Sequence, residues 1–330
     1  LSLHDALPIS RYHHPRHYLI TMVETSQIIH IALRAMIVLG YCFMVIVANI
    51  GTSGLLCEFE DLDIVQAYPT PITPSSYAFI IWPAIFILQA FYALWAMLPA
   101  DNHQTLVYVG VPLFVGMVAH GIWNIAFDCG HMILEAVMIM ISLLAFAVAY
   151  VLAYARLPNR AHRRLLAYKR IEADESEPLI KYSSEVTAAS TGTEIPLSQS
   201  RVVTELLVVF LPTAMSVAWL LVYAPMAVMI AAEQHRHIVI GAGAGIAVIV
   251  VVTVIGLAVA LLMLEFVFSA TLVWAWIAIA IQQSGNSAGH TAIAATIASA
   301  LAVLGVLYYH GRQFYDLYSI RQVSRDAGTY

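Results

Sequence analysis

The chain of 330 residues is 61% hydrophobic and 11% charged, with a mean hydropathy of +0.81. Soluble globular domains are usually about 45 to 50% apolar, so the composition excludes a soluble protein and predicts an all-α fold, a polytopic membrane helical bundle. Lys and Arg number 15 against 20 Asp and Glu. That balance excludes nucleic-acid binding as the main task, because no basic surface could neutralise a phosphate backbone.

The chain divides into five segments. Leu1 to Ile9 resembles a translated sequencing adapter, and we expect residues 1–21, before the first methionine Met22, to be an adapter or untranslated artefact without fold information. The remaining segments are helices 1 to 4 (22–155), a cytoplasmic, disordered loop (156–203), helices 5 to 8 (204–309) and a cytoplasmic tail (310–330).

Apolar runs long enough to span a membrane predict eight helices. They lie at 28–50, 76–98, 105–126, 131–155, 204–232, 242–263, 266–283 and 290–309. The stretch from Ile238 to Gln283 is too long for one crossing, and Glu265 in its middle predicts the turn between two helices.

Basic residues are distributed unequally between the two sides of this bundle. Eleven follow helices 4 and 8, whereas only Arg236 lies in the loops after helices 1, 3, 5 and 7. Because cytoplasmic loops carry the excess of Lys and Arg, we expect both termini and the central loop in the cytoplasm. The loop passes from a basic amphipathic stretch through an acidic run to a Ser/Thr-rich segment, which favours a mobile linker; a phosphorylated or lipid-surface segment is the alternative.

Two cofactor classes are disfavoured by the positions of their ligands. A retinal protein needs a lysine in a spanning helix, but the only lysines are Lys169 and Lys181 in the central loop. Bis-histidine haem needs two histidines at one depth on facing helices, and none of the histidine pairs meets that condition. No catalytic or metal-ligating motif is present.

A group of aromatic and polar residues is predicted at similar depth on four helices. With a rise of about 1.5 Å per residue, Trp82 and His120 lie about 9 Å from the non-cytoplasmic face, Trp123 and Glu135 about 5 to 6 Å, and Tyr223 about 13 Å. One interpretation is an interfacial aromatic belt. The other is a small-molecule site, because ionisable residues within a span indicate function.

Four segments carry a resemblance to a known family. Residues 71–82, PITPSSYAFIIW, resemble the TPxxYxFxIWxxIY signature of the translocator protein, or tryptophan-rich sensory protein (TspO/MBR), family. Residues 120–127, HGIWNIAF, with Glu135 soon after, are similar to that family's NxxWxxxFF region. Pro212 with Trp219, and residues 274–280, resemble further helices of larger bacterial relatives. His120 and Phe86 stand where the family commonly has asparagine and tyrosine.

The resemblance implies a five-helix unit, here followed by three more helices, with a ligand cavity beneath the loop after helix 1. It implies binding or transport of a flat hydrophobic ligand such as a tetrapyrrole or sterol. The predicted ligand-binding residues are Tyr77, Trp82, Phe86, His120, Trp123, Asn124, Glu135, Trp219 and Tyr223. A bound porphyrin or other tetrapyrrole is the candidate cofactor, and we expect membrane lipid as a further partner. We favour binding over catalysis; the alternatives are an enzyme that modifies a bound tetrapyrrole and an accessory subunit of a membrane complex, and the oligomeric state, including a homo-oligomer, stays open.

The predicted topology leads to two hypotheses about residue pairs. Cys57 and Cys129 fall on the non-cytoplasmic side and can form a disulfide if their Cα atoms lie about 4.4 to 6.8 Å apart. We expect His120 and Glu135 to form a pair across helices 3 and 4, joined by a short turn at 128–130; the alternative is a Glu135 side chain that points to headgroup water.

Overall fold

The computed structural model describes residues 16–51, 57, 67–98, 103–173 and 204–327. Apolar runs become helices in a membrane because lipid offers no partner for backbone N–H and C=O groups. Eight α-helices occupy these ranges: α1 (Arg16–Gly51), α2 (Ile81–Met97), α3 (His103–Asp128), α4 (Met132–Ala173), α5 (Leu211–Arg236), α6 (Ala242–Met263), α7 (Val267–Gln282) and α8 (Ser287–Ala327). A 3-10 turn, Ser76–Ile80, leads into α2, and a π-helical turn, Leu206–Phe210, leads into α5. The described ranges contain no strand, which confirms the all-α bundle.

Seven of the helices contain a segment long and apolar enough to cross a membrane. The eighth predicted span, 266–283, is α7, whose 16 residues measure about 24 Å along the helix axis. This is less than the hydrocarbon thickness of about 30 Å. The expected eighth full-length span is therefore a short apolar helix between two longer ones.

Three helices extend past the predicted segment boundaries. α1 begins at Arg16, inside the segment 1–21, whose first 15 residues lie outside the described residues. α4 continues to Ala173, so the first part of the predicted loop 156–203 is helical, in keeping with the high helix propensity of its Arg, Ala, Leu and Lys residues; residues 174–203 lie outside the described ranges. α8 continues to Ala327, through most of the predicted tail 310–330.

The turn between α3 and α4 ends α3 at Asp128, two residues beyond the predicted end at 126. Gly130 has φ 72°, the left-handed conformation that glycine adopts without steric cost. The N–H of Gly130 donates to Phe127 O at 2.9 Å, and the N–H of His131 donates to Ala126 O at 2.8 Å. These two bonds are those of a Schellman motif, and the short turn makes α3 and α4 antiparallel neighbours.

One end of the bundle gathers the turn after α3, the loop after α1 and the end of α5. A disulfide joins Cys57 to Cys129, and the Gln234 side chain of α5 donates to Gly130 O at 3.3 Å. We call this the disulfide end.

At the opposite end, the α6–α7 turn contacts α4 near Tyr150 and α8 near His310. Tyr150 on α4 donates a long hydrogen bond, 3.5 Å, to Glu265 in the α6–α7 turn, and His310 Nε2 on α8 lies 2.8 Å from Leu264 O of the same turn. Helices α4 and α8 therefore continue toward the basic loop and the basic tail at the same end, which we call the basic end.

Glu265 lies in a turn between α6 and α7, as its position predicts. Its carboxylate accepts the N–H groups of Val267 at 2.7 Å and Phe268 at 2.9 Å, two of the donors that the first turn of a helix leaves unpaired. The preceding residue, Leu264, has φ 51°, which reverses the chain direction. Burial raises the pKa of Glu265 above its ordinary value, and the three hydrogen bonds oppose part of that shift.

The loop before α2 is bound to α7 from the C-terminal half of the chain. The Gln283 amide donates to Thr70 O at 3.1 Å and to Thr73 O at 3.2 Å, and Ser75 donates through its N–H and its hydroxyl to Ala278 O. The indole of Trp274 donates to Ala78 O at 3.0 Å. These bonds fix the start of α2 against α7, and with it the helix that carries Trp82.

Candidate functional site

Trp82 is the centre of a cluster of aromatic rings between four helices. Its ring centroid lies 4.7 Å from His120 and 5.5 Å from Trp123 on α3, 5.9 Å from Phe86 on its own helix, and 6.1 and 6.2 Å from Trp219 and Tyr223 on α5. We call these six residues, together with Glu135 on α4, the aromatic cluster. Most of its ring pairs meet edge to face, a favourable arrangement for aromatic side chains.

Helical spacing explains why each helix presents its members together. Trp82 and Phe86 are four residues apart, as are Trp219 and Tyr223, whereas His120 and Trp123 are three apart. Residues three or four apart lie on one face of a helix. Three helices therefore direct aromatic faces toward one point, and the predicted similarity in depth becomes contact.

The cluster lies inside the bundle rather than at a lipid-facing belt. Trp219 is 1% exposed, Tyr223 3% and Trp123 5%, while Trp82 is half-buried. An interfacial belt would place these rings at the surface. Trp82 is thus the tryptophan of the cluster through which the interior rings are reached.

The predicted pair of His120 and Glu135 is wrong. Glu135 Oε1 instead accepts the indole N–H of Trp123 at 2.9 Å, and neither ring nitrogen of His120 has a hydrogen-bond partner within the described part of the chain. The helix register gives the reason. Trp123 lies five residues before Asp128 and Glu135 five after Gly130, so they are level across the antiparallel pair, whereas His120 is one turn farther from the turn. Glu135 is fully buried, so the alternative in which it points to headgroup water is also wrong.

Two of the nine predicted ligand-binding residues lie apart from the cluster. Tyr77 packs its ring edge to face on Trp274 of α7, with centroids 5.3 Å apart. Asn124 donates to His120 O at 3.1 Å, a bond within its own helix. The other seven form the cluster, and ligand contact by all nine stays a prediction.

One ring that contacts the aromatic cluster, Phe79, is absent from the predicted ligand-binding residues. Phe79, in the 3-10 turn before α2, lies 6.2 Å from Trp219 and 6.4 Å from Tyr223, both edge to face. It precedes Trp82 by three residues, so helical spacing from Trp82 could have identified it.

The disulfide between Cys57 and Cys129 confirms the proposed pairing. Their Cα atoms are 5.1 Å apart, inside the range that a disulfide requires. Cys129 belongs to the α3–α4 turn, six residues from Trp123. The bond therefore ties the loop after α1 to the end of the bundle nearest the aromatic cluster. Cys42 is the free cysteine of the described residues.

A separate groove of about 410 Å³ lies between α2, α5 and α7. Its lining is almost wholly apolar: Ile80, Ile81, Ala84, Leu211, Met215, Phe266, Val267, Ala270, Thr271 and Trp274. None of the nine predicted ligand-binding residues lines it.

The fold and the cluster define a class of protein, a polytopic helical membrane protein with aromatic rings from three helices packed in its interior. The family model described as TSPO-like protein matches residues 33–308. The chain belongs to this family, and the resemblance seen in the signature segments is confirmed. The match extends from α1 into α8, so it includes α6 and α7 as well as the five-helix unit. No curated protein and no solved structure matches the chain.

Proposed function

We propose that this TspO-like membrane protein binds a flat hydrophobic ligand, such as a tetrapyrrole, at the aromatic cluster. The observation that carries the proposal is the position of Trp82, whose ring lies within 6.2 Å of five other rings from three helices. An apolar, aromatic site with a few polar groups is the usual composition of a small-molecule site. The rings now contact one another, so a ligand enters by separating them, beginning at the half-buried Trp82.

A titration with protoporphyrin IX tests this proposal on the purified full chain. Binding is read from the absorption band of the porphyrin, which does not depend on which tryptophans remain. Trp82→Leu is expected to weaken binding about two- to tenfold, since stacking on one ring contributes about 0.5 to 1.5 kcal/mol. Trp95→Leu is the matched control, because Trp95 lies on the same helix and contacts Tyr92 rather than the cluster. Equal affinities of both variants would contradict the proposal, and a porphyrin spectrum that changes with time would favour the enzyme alternative.

We also propose that the basic end faces the cytoplasm, with both termini on that side. The eleven basic residues after helices 4 and 8 support this orientation. The disulfide is independent support, because disulfides persist in oxidising compartments outside the cytosol. The two observations concern opposite ends of the bundle and agree.

Cysteine labelling in sealed cells tests the orientation. In a Cys42→Ser background, Ser284→Cys introduces a thiol in the α7–α8 turn and Ser324→Cys one near the end of α8. A membrane-impermeant maleimide is expected to label the first without permeabilisation and the second only after it. The reverse order would contradict the orientation.

A further inference from the structure

The aromatic cluster contains buried polar atoms that the protein leaves without partners. Both ring nitrogens of His120, the Oε2 atom of Glu135 and the indole N–H of Trp219 have no hydrogen-bond partner in the described part of the chain. His120 and Trp219 are 1% exposed and Glu135 is fully buried. Buried polar groups are nearly always paired. Single unpaired atoms also occur outside the cluster, on Gln89, Tyr92 and Trp276, but these four are concentrated on three residues of the aromatic cluster. A ligand that binds here must therefore provide hydrogen-bond donors and acceptors for these four atoms.

The chemistry of the four atoms determines which donors and acceptors the ligand needs. The indole N–H of Trp219 requires an acceptor, and a neutral imidazole offers one donor and one acceptor. The free oxygen of Glu135 pairs with a ligand N–H or O–H, because Trp123 occupies only Oε1. A ligand with both donors and acceptors near the centre of a flat ring system meets these requirements together.

Within the described ranges, no lysine or arginine lies in contact with the cluster to balance a negative charge. Arg236 on α5 is two residues beyond Gln234, whose side chain donates to Gly130 O, and Glu135 is five residues beyond Gly130 on α4. The exposed Arg236 is therefore about 10 Å from Glu135 along the bundle axis, beyond contact distance. Arg34 on α1 is 17 residues before Gly51, about 25 Å from the disulfide end, whereas His120 lies only about 12 Å from that end. A ligand carboxylate inside the cluster would thus meet the Glu135 carboxyl group and no cation, which is costly in a low-dielectric interior.

From these two features we infer that the aromatic cluster selects against anionic ligands. It binds a flat ligand whose buried part is uncharged or positively charged and donates a hydrogen bond to Glu135. The inference rests on the proposed function and narrows it. A tetrapyrrole bound here would have its acidic side chains masked or absent. Glu135 is the residue that sets this selectivity.

The experiment compares protoporphyrin IX with its dimethyl ester, which keeps the ring and its N–H groups and removes the carboxylates. Affinities for the purified full chain are expressed per mole fraction in the detergent micelle. The wild-type protein is expected to bind the ester more tightly than the acid. Glu135→Gln is expected to lower the ratio of acid to ester dissociation constants at least about fivefold, since it removes the ionisable carboxyl group at contact distance.

Two variants control for changes unrelated to charge at the cluster. Glu135→Asp keeps the carboxyl group, and Glu205→Gln replaces a buried glutamate just before the π-helical turn 206–210, where it accepts a hydrogen bond from Thr105. Both are expected to keep the wild-type ratio. Because the ratio compares two ligands on one protein, micelle partitioning cancels between variants.

Three results separate the possible failures. Tighter binding of the acid by the wild-type protein, or a ratio that Glu135→Gln leaves unchanged, would overturn the inference while the proposed function stands. If neither porphyrin binds saturably, the proposed function fails. Should Glu135→Gln not fold, competition between the two porphyrins on the wild-type protein still decides the order.

Discussion

The bond between Trp123 and Glu135 gives the sharpest test of the cluster's geometry. Trp123→Phe removes the indole N–H that donates to Glu135 at 2.9 Å and leaves a fully buried carboxyl group with no partner at either oxygen. A hydrogen bond to a charged group contributes about 1.5 to 3 kcal/mol in soluble proteins, whereas interhelical bonds in membranes average about 0.6 and reach about 1.7 kcal/mol. We expect about 1.5 kcal/mol, near the upper membrane value, because the partner is left unpaired.

Trp276→Phe is the matched control for the lost ring volume. Trp276 on α7 is also fully buried, but its indole N–H has no partner among the described residues, so the substitution removes volume without removing a hydrogen bond. At about 2 °C per kcal/mol for a chain of this size, Trp123→Phe should unfold about 3 °C below Trp276→Phe. The assay is far-UV circular dichroism in detergent at a fixed scan rate, since apparent midpoints of irreversible unfolding depend on that rate. Equal midpoints for the two variants would refute the argument.

Three further predictions concern the contacts that hold the bundle. Cys129→Ser should destabilise the protein by about 2 to 4 kcal/mol, because the disulfide closes a loop with a sequence separation of 72; a reducing agent should lower the wild-type midpoint and leave that of the variant unchanged, with Cys42→Ser as the control. Gln283→Leu should cost about 1 to 2 kcal/mol by leaving Thr70 O and Thr73 O without its amide, whereas Gln282→Leu, at an exposed neighbour, should be near neutral in the same melting assay. Because burial raises the pKa of Glu265, the native protein holds this proton more strongly than the unfolded chain, so stability should fall as the pH rises from the ordinary glutamate pKa through the raised one; Glu265→Gln should flatten that slope, and an unchanged slope would contradict the assignment.

The sequence predicts the helices well because an apolar run in a membrane must pair its own backbone N–H and C=O groups, which a helix does. One charged residue, Glu265, in a long apolar stretch predicts a turn there. From that position its carboxylate accepts the first N–H groups of α7. The predicted span 266–283 agrees with α7 to within one residue at each end, but hydropathy alone does not show that a helix of 16 residues is too short to cross the membrane at full length.

The pairing across α3 and α4 shows what register can and cannot decide. Counting residues from the turn selects Trp123 as the partner level with Glu135, and the predicted partner His120 is wrong because it lies one helical turn farther from the turn. The contacts of Trp82 with Trp219 and Tyr223 needed more than counting. They depend on which helices are neighbours in the bundle, and α2 and α5 are far apart in the sequence.

The bonds from Gln283 to Thr70 and Thr73 could not be predicted at all. They join residues more than 200 positions apart, and a glutamine at the end of an apolar helix has many equivalent interpretations. The same holds for the unpaired atoms of His120 and Trp219, because a lack of partners appears only once every neighbour is placed.

A structure of the protein with the dimethyl ester of protoporphyrin IX tests the central claim most directly. The account predicts the porphyrin between Trp82, Trp123 and Trp219, with a ring N–H directed at Glu135 and the Trp82 side chain displaced from its present contacts. A porphyrin bound instead in the groove between α2, α5 and α7, with the rings of the aromatic cluster still packed against one another, would contradict it.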